Sequence, residues 1–147
     1  MKSEILKQQH DRWIRISLST LAIIILILVY LFQRTSLVGL LGGDTEAIHP
    51  NVLFILNRTA RMVLNDAACF VLIYAVFRER KYLKLAFVVF LIELLVILPV
   101  YLVIKLTIEG DSEISSPLLS QIHRLIVNPT LMILLMAGFA YQKYFKR

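Results

Sequence analysis

The stretch LSTLAIIILILVYLF, residues 18–32, decides the class of fold. It lies in a run without charge between Arg15 and Arg34, and about 20 apolar residues are enough for a helix to cross a bilayer. The run is too long for the apolar region of a signal peptide, about 7–15 residues, and no small-x-small cleavage pattern follows it. We therefore predict a retained membrane span over residues 14–33.

The composition of the whole chain agrees with this prediction. Its 147 residues make one domain at most. Hydrophobic residues make up 59% and charged residues 18%, against about 25% charged residues in ordinary globular proteins. A soluble protein of this size needs polar residues to cover its core, and this chain has too few. We predict a single membrane domain, residues 1–147.

Three further apolar segments have the length of a span. The second is short and polar at its beginning, so the upstream run NVLFIL, residues 51–56, either lies in the interface or extends the same helix. The fourth begins with Ser116 as a candidate N-cap and Pro117 at the first helical position. The spans are predicted at residues 14–33, 61–77, 83–104 and 117–141. The predicted fold class is therefore an all-α integral membrane protein, a bundle of four transmembrane helices.

The charges alternate between the segments that join these spans. Eleven of the sixteen basic residues lie before the first span, between the second and third, and at the end of the chain. The other two connections carry Asp44 and Glu46, then Glu109, Asp111 and Glu113. The positive-inside rule places both termini in the cytoplasm. Lysine and arginine at span ends orient the chain in a lipid bilayer, whereas a nucleic-acid-binding protein gathers them on one face, so no nucleic-acid partner is expected.

Several polar residues lie inside the predicted spans. An ionisable group at the centre of a membrane helix costs about 2.5–3.5 kcal/mol and usually faces the bundle interior or a water-filled cavity. These residues form the candidate site for intramembrane polar contacts or docking: Arg61, Asn65, Asp66, Glu93, His123, Arg124 and Asn128. We predict that Asp66 or Glu93 pairs with Arg61 or Arg124.

Two prolines lie at a depth similar to that of the polar residues. Each removes one helical hydrogen bond, which frees the carbonyl of Leu95 for Pro99 and that of Leu125 for Pro129. Broken helical backbone at membrane depth is tolerated where neighbours, side chains or water satisfy it. We therefore predict a polar, kinked zone that opens outward.

This zone has two interpretations. Its side chains either hold the bundle or a partner helix together by hydrogen bonds, or they form a chemical or transport site in which Glu93 relays protons. The histidines are far apart in the sequence, and the single cysteine, Cys69, allows no multi-cysteine site. We therefore expect neither a metal nor another cofactor.

Three stretches resemble a known bacterial family. They are LNDAACFVLIYAVF (residues 64–77), KYLKLAF (residues 81–87) and EGDSEISSPLLSQIHRLIVNPTLM (residues 109–132). The chain resembles the exosortase F system-associated membrane proteins, small multi-pass proteins encoded beside an exosortase, over roughly residues 58–136. The resemblance implies a non-catalytic accessory in the bacterial inner membrane, serving a protein-sorting system. It implies docking of the exosortase-type transpeptidase or of its substrate helix.

Two alternatives remain open. An exosortase-like cysteine transpeptidase would use Cys69 with His123 and either Arg61 or Arg124, although NDAACF is not the cysteine motif of that enzyme. A small transporter would need a polar path to the cytoplasmic side, and the sequence beyond Glu93 on that side is almost wholly apolar. Formation of an oligomer is left open by the sequence.

Overall fold

The computed structural model describes residues 2–33, 35–40, 42–43, 48–108 and 116–145. Within these ranges 89% of the chain is helical and no strand occurs. The helices are α1 (Lys2–Leu31), α2 (Leu37–Leu40), α3 (Pro50–Phe77), α4 (Arg80–Ile92), α5 (Leu98–Ile108), α6 (Pro117–Val127) and α7 (Thr130–Tyr144). A π-helical turn, Glu93–Ile97, joins α4 to α5.

Three helical segments are long and apolar enough to cross a membrane: Leu6–Leu31, Pro50–Phe77 and Arg80–Ile108. The pair α6 and α7 makes a fourth crossing if it counts as one span, although the two helices meet at a bend of 60°. The structure confirms the all-helical prediction and the presence of three or four apolar helices of spanning length.

Helices α1 and α3 run antiparallel, and each provides an arginine to the end of the other. Arg15 of α1 donates to the carbonyl oxygen of Ala75, 2.9 Å away in the last turn of α3. Arg61 of α3 donates to three carbonyl oxygens just beyond the end of α1, those of Phe32, Gln33 and Thr35. The last carbonyls of a helix lack helical partners, and a cation is favourable beside them. We call this arrangement the α1–α3 clamp.

The second predicted span is longer than expected. Helix α3 begins at Pro50, so the run of residues 51–56 extends the helix. The imidazole of His49 accepts a hydrogen bond from the backbone N–H of Asn51 and caps the start of the helix. Helix α1 likewise begins earlier than the predicted residue 14, at Lys2. Its first turns combine polar and apolar residues and precede the apolar part of the helix.

Both prolines affect their helices, in different ways. Pro99 follows the π-helical turn, in which the N–H of Leu98 donates to the carbonyl of Glu93 five residues earlier. Pro129 breaks the fourth predicted span into α6 and α7. The predicted kink at Pro129 is confirmed, and residues 117–141 form two helices in place of one.

The two ends of the bundle are fixed by contacts between helices. At one end, the Arg78 end, the Arg78 guanidinium contacts the Asp11 carboxylate at 3.2 Å, and Lys143 donates to the carbonyl of Phe77 at 3.2 Å. The opposite end, the Arg58 end, holds the start of α3, the end of α5 and the start of α6. Seven charges of the predicted connections and the end of the chain lie outside the described residues: Asp44, Glu46, Glu109, Asp111, Glu113, Lys146 and Arg147.

The core consists of two apolar clusters. The Phe77 cluster includes Cys69, Phe77, Tyr82 and Phe139. The rings of Phe77, Tyr82 and Phe139 pack at tilted or edge-to-face angles, with centroids 4.5–5.7 Å apart. The Tyr101 cluster, nearer the Arg58 end, comprises Met62, Leu98, Tyr101, Leu119 and Ile126. Along α3, Asn65 and Asp66 lie between Met62 of the Tyr101 cluster and Cys69 of the Phe77 cluster, and Arg61 precedes Met62.

Candidate functional site

Asn65 joins α3 to the break in the fourth pass. Its side chain is buried, with 5% exposed, and its Nδ2 donates to the carbonyl oxygen of Val127 at 2.7 Å. Val127 is the last residue of α6, so its carbonyl is one of those that the helix itself leaves without a donor. Asn65 therefore serves to hold the bundle together, as the first of the two interpretations predicts.

Asp66 and Glu93 face each other between α3 and the π-helical turn. Both are buried, with 2% and 3% exposed, and their carboxyl groups lie within hydrogen-bonding reach of one another. Asp66 Oδ2 and Glu93 Oε2 have no donor among the residues that the structure describes. Since an ionised carboxylate only accepts, a hydrogen bond between two carboxyl groups requires a proton on one of them.

The predicted pairing of Asp66 or Glu93 with an arginine is wrong. Arg61 directs its guanidinium to the backbone carbonyls beyond α1, away from the carboxyl pair. Arg124 is exposed on α6 and forms no ion pair within the described ranges. The buried carboxyl groups are thus each other's partners, and the buried arginine is a backbone cap.

His123 belongs to the Arg58 end. Its Nδ1 lies 2.7 Å from the hydroxyl oxygen of Tyr101, so the two share a hydrogen bond between α6 and α5. Cys69 is fully buried in the Phe77 cluster, and no hydrogen bond recorded between described residues joins it to a histidine. A nucleophilic thiol needs a base within about 2.6–3.2 Å. The structure therefore does not bring together the cysteine and histidine of the transpeptidase alternative.

Two cations that the sequence reasoning missed share one aromatic ring. The Lys105 ammonium lies 4.7 Å from the centroid of Phe54, and the Arg58 guanidinium lies 5.1 Å from the same centroid. Lys105 is only 2% exposed. Neither residue lies in the three basic segments that orient the chain. Their position outside those segments is the signal in the sequence that could have identified them.

These cations belong to a larger group, which we call the basic cluster. Four positive side chains act electrostatically on the imidazole of His123: Arg58, Arg61, Lys105 and Arg124. They come from α3, α5 and α6, so only the folded bundle brings them together at the Arg58 end.

Two cavities lie beside the basic cluster. The polar cavity has a volume of about 700 Å³ and is lined by Gln33, Thr35, Ser36, Asn57, Arg58 and Arg61, with the ring of Phe54. The break cavity, about 250 Å³, lies between α1, α3 and the break, and its apolar lining comes mainly from Leu26, Val29, Tyr30, Val127, Pro129 and Ile133. Gln33 and Arg61 line both cavities, so the two adjoin.

The predicted site residues thus separate into three groups. Four are buried between the helices: Arg61, Asn65, Asp66 and Glu93. His123 is half-buried, whereas Arg124 and Asn128 are exposed. Asn128 also lines the break cavity. Contact with another molecule is therefore open to Arg124 and Asn128, while Asn65, Asp66 and Glu93 act within the fold. Arg61 is also buried, but it lines both cavities.

The fold and the site define an all-helical protein with three or four helices apolar enough to cross a membrane and with polar side chains bound between them. In the ranges that the structure covers, no group of three or more His, Cys, Asp or Glu residues is placed to hold a metal ion. Comparisons with protein-family models, curated proteins and solved structures find no match to the chain.

Proposed function

We propose that the chain is a non-catalytic accessory protein of an exosortase-type protein-sorting system in the bacterial inner membrane. It docks the membrane transpeptidase or the helix that marks its substrates. The sequence resemblance over roughly residues 58–136 supports the assignment to an exosortase-type system. The long apolar helices support insertion in a bilayer. The distribution of basic residues supports a cytoplasmic position for both termini.

The observation that carries the docking role is the exposed Asn128. Its amide side chain is exposed at the break between two apolar helices, part-way through the fourth pass. A polar side chain that faces lipid is unfavourable, and in membranes an amide is commonly satisfied by a hydrogen bond to another helix. Pro129 adds to this polarity, since it has no N–H to donate to the carbonyl of Leu125. A partner helix at the break would satisfy both groups.

The buried polar residues hold the docking site in place without contacting the partner. Asn65 holds the end of α6 against α3, and the Asp66–Glu93 pair joins α3 to the π-helical turn. Their effect on docking is therefore indirect, through the position of the break. Arg124 provides the exposed positive charge beside it.

Co-purification with a co-expressed exosortase-type transpeptidase tests the role. Asn128→Leu is expected to abolish most of the association, because it removes the amide at the break. Gln142→Leu is the matched control, since it replaces an exposed amide near the other end of α7 and should leave association unchanged. An association that survives Asn128→Leu, or that is absent from the unmodified protein, would reject the docking role.

Topology is tested separately with reporter domains. A reporter fused after Arg147 is expected in the cytoplasm, and one inserted after Gly110 is expected on the opposite side of the membrane. Two reporters in the same compartment would reject the four-pass arrangement and, with it, the proposed placement of the docking site.

A further inference from the structure

The basic cluster has a location that chain orientation does not explain. Basic residues that orient a membrane protein gather on the cytoplasmic side, which in the proposed topology is the Arg78 end. Arg58 and Lys105 instead meet over the ring of Phe54, and Arg58 and Arg61 line one cavity, all at the Arg58 end. Like charges brought together in a partly buried place destabilise the fold unless something negative accompanies them.

Arg58 has donors to spare, whereas Arg61 has only one, because its two terminal nitrogens donate to carbonyls beyond α1. Arg58 contacts the ring of Phe54 and forms no hydrogen bond or ion pair with a described residue. Arg61 is 4% exposed, and its Nε has no acceptor in the parts of the chain that the structure covers. A guanidinium presents its donors in a planar fork that matches the oxygens of a phosphate group.

The two adjoining cavities indicate what kind of ligand would fit. Arg58 and Arg61 line the polar cavity together with the side chains of Ser36 and Asn57, which hydrogen-bond each other at 3.2–3.3 Å. Next to it, the break cavity offers an apolar wall that includes Leu26, Val29 and Ile133. A polar cavity with cations beside an apolar one fits a molecule with an anionic head and a hydrocarbon tail.

We propose that these two cavities bind one membrane glycerophospholipid, with its phosphate group against Arg58 and Arg61. The first part of one acyl chain lies in the break cavity, along Leu26 and Val29. The polar cavity lies between the residues that follow α1 and the first part of α3, which is the head-group level if the helices cross the bilayer. This lipid site goes beyond the docking role and stands without it, because its phosphate contacts are Arg58 and Arg61, whereas docking depends on Asn128, which only lines the far side of the break cavity.

Native mass spectrometry of the purified full chain, with added phosphatidylglycerol, tests the proposal. Arg58→Gln is expected to weaken binding about tenfold, the loss typical of a charged hydrogen bond, and Arg58→Lys should restore part of it by keeping the charge. Arg80→Gln is the matched control, since Arg80 is exposed at the Arg78 end and forms no hydrogen bond or ion pair with another described residue. Thermal unfolding of each variant confirms that it folds.

The alternatives give different results. Equal binding by diacylglycerol, which has no phosphate, or an equal loss in Arg58→Gln and Arg80→Gln would overturn the site. Equal binding by the unmodified protein and Arg58→Gln would also overturn it. Inorganic phosphate that binds with the same dependence on Arg58, and displaces phosphatidylglycerol at similar concentrations, would show a site for free phosphate and contradict the assignment to lipid.

Discussion

Arg15 of α1 and Ala75 of α3 are joined by a hydrogen bond of 2.9 Å from Nε to the carbonyl oxygen. The same pair of helices is joined at its other end by Arg61, which donates to the carbonyl of Gln33. A slide of one helix turn, about 5.4 Å, would break both contacts. The α1–α3 clamp therefore sets the register of two helices whose apolar side chains alone would tolerate several registers.

Replacement of Arg15 tests the clamp. Arg15→Gln is expected to lower the free energy of unfolding by about 1 kcal/mol, because the carbonyls at the end of α3 lose a charged donor. Arg12→Gln is the matched control, as Arg12 is an exposed basic residue one turn earlier in α1 without a recorded hydrogen bond. Unfolding of the two purified variants measures both losses of free energy. Equal losses would show that only the net charge of α1 matters.

Asn65→Leu is expected to destabilise the fold by about 1 kcal/mol, a typical size for a hydrogen bond between membrane helices. The substitution keeps the volume and removes the donor to the Val127 carbonyl, so the end of α6 loses its tie to α3. Asn128→Leu should leave the unfolding free energy nearly unchanged, since that amide is exposed. A larger effect at Asn128 than at Asn65 would contradict the structure.

The carboxyl pair is tested by isosteric replacement. Asp66→Asn and Glu93→Gln should each retain the fold, because an amide supplies the donor that the pair otherwise obtains from a shared proton. Asp66→Leu should cost about 1–3 kcal/mol, since it leaves the buried Glu93 without its partner. Unfolding measurements on the three variants provide the comparison, and an Asp66→Leu protein as stable as Asp66→Asn would show that the pair contributes nothing.

Pro129→Ala is expected to straighten the fourth pass. Alanine restores an N–H that donates to the carbonyl of Leu125 and so favours one continuous helix in place of the 60° bend. The distance between spin labels at positions 118 and 144 should lengthen by several ångströms, and the buried Cys69 does not compete for the label. Pro117→Ala, at a first helical position that needs no donor, should leave the distance unchanged.

Glu79, in the loop between α3 and α4, makes the stability of the fold depend on pH. The hydrogen bond from Lys81 at 2.8 Å, followed by the charges of Lys81 and Lys143, lowers the pKa of the Glu79 carboxyl below its ordinary value. Stability from this contact is therefore present above the unfolded-state pKa and is lost as the pH falls through the folded-state pKa. Unfolding curves of the protein and of Glu79→Gln should differ above that range and converge below it.

The apolar helices and the break were predictable because they depend on local sequence. A run without charge forms a helix of spanning length, and Pro129 removes a hydrogen bond wherever its helix lies. The partners of the charged residues were not predictable in this way. We predicted an acidic partner for Arg61 because opposite charges attract. In the folded chain, Arg61 instead donates to free carbonyls at the end of α1.

The basic cluster was missed for a related reason. Lys105 and Arg58 meet over the ring of Phe54 although they belong to different helices, and no spacing within one helix indicates such a contact. The second span was predicted to begin at residue 61, and the sequence left open whether residues 51–56 extend the same helix. In the folded chain both segments lie within one helix that begins at Pro50.

The α1–α3 clamp also has a consequence for the choice of membrane. From Arg15 to the end of α1 is roughly 24 Å, and from Arg61 to Ala75 roughly 21 Å, by helical rise. Both lengths are shorter than a hydrocarbon core of about 30 Å, and tilting would only widen the difference. In an inserted protein with Arg15 and Arg61 at opposite surfaces of the bilayer, the surrounding lipid would thin locally, at a cost of a fraction of a kcal/mol per ångström. With that arrangement, we expect the protein to be most stable in bilayers of short-chain lipids and progressively less stable as the acyl chains lengthen.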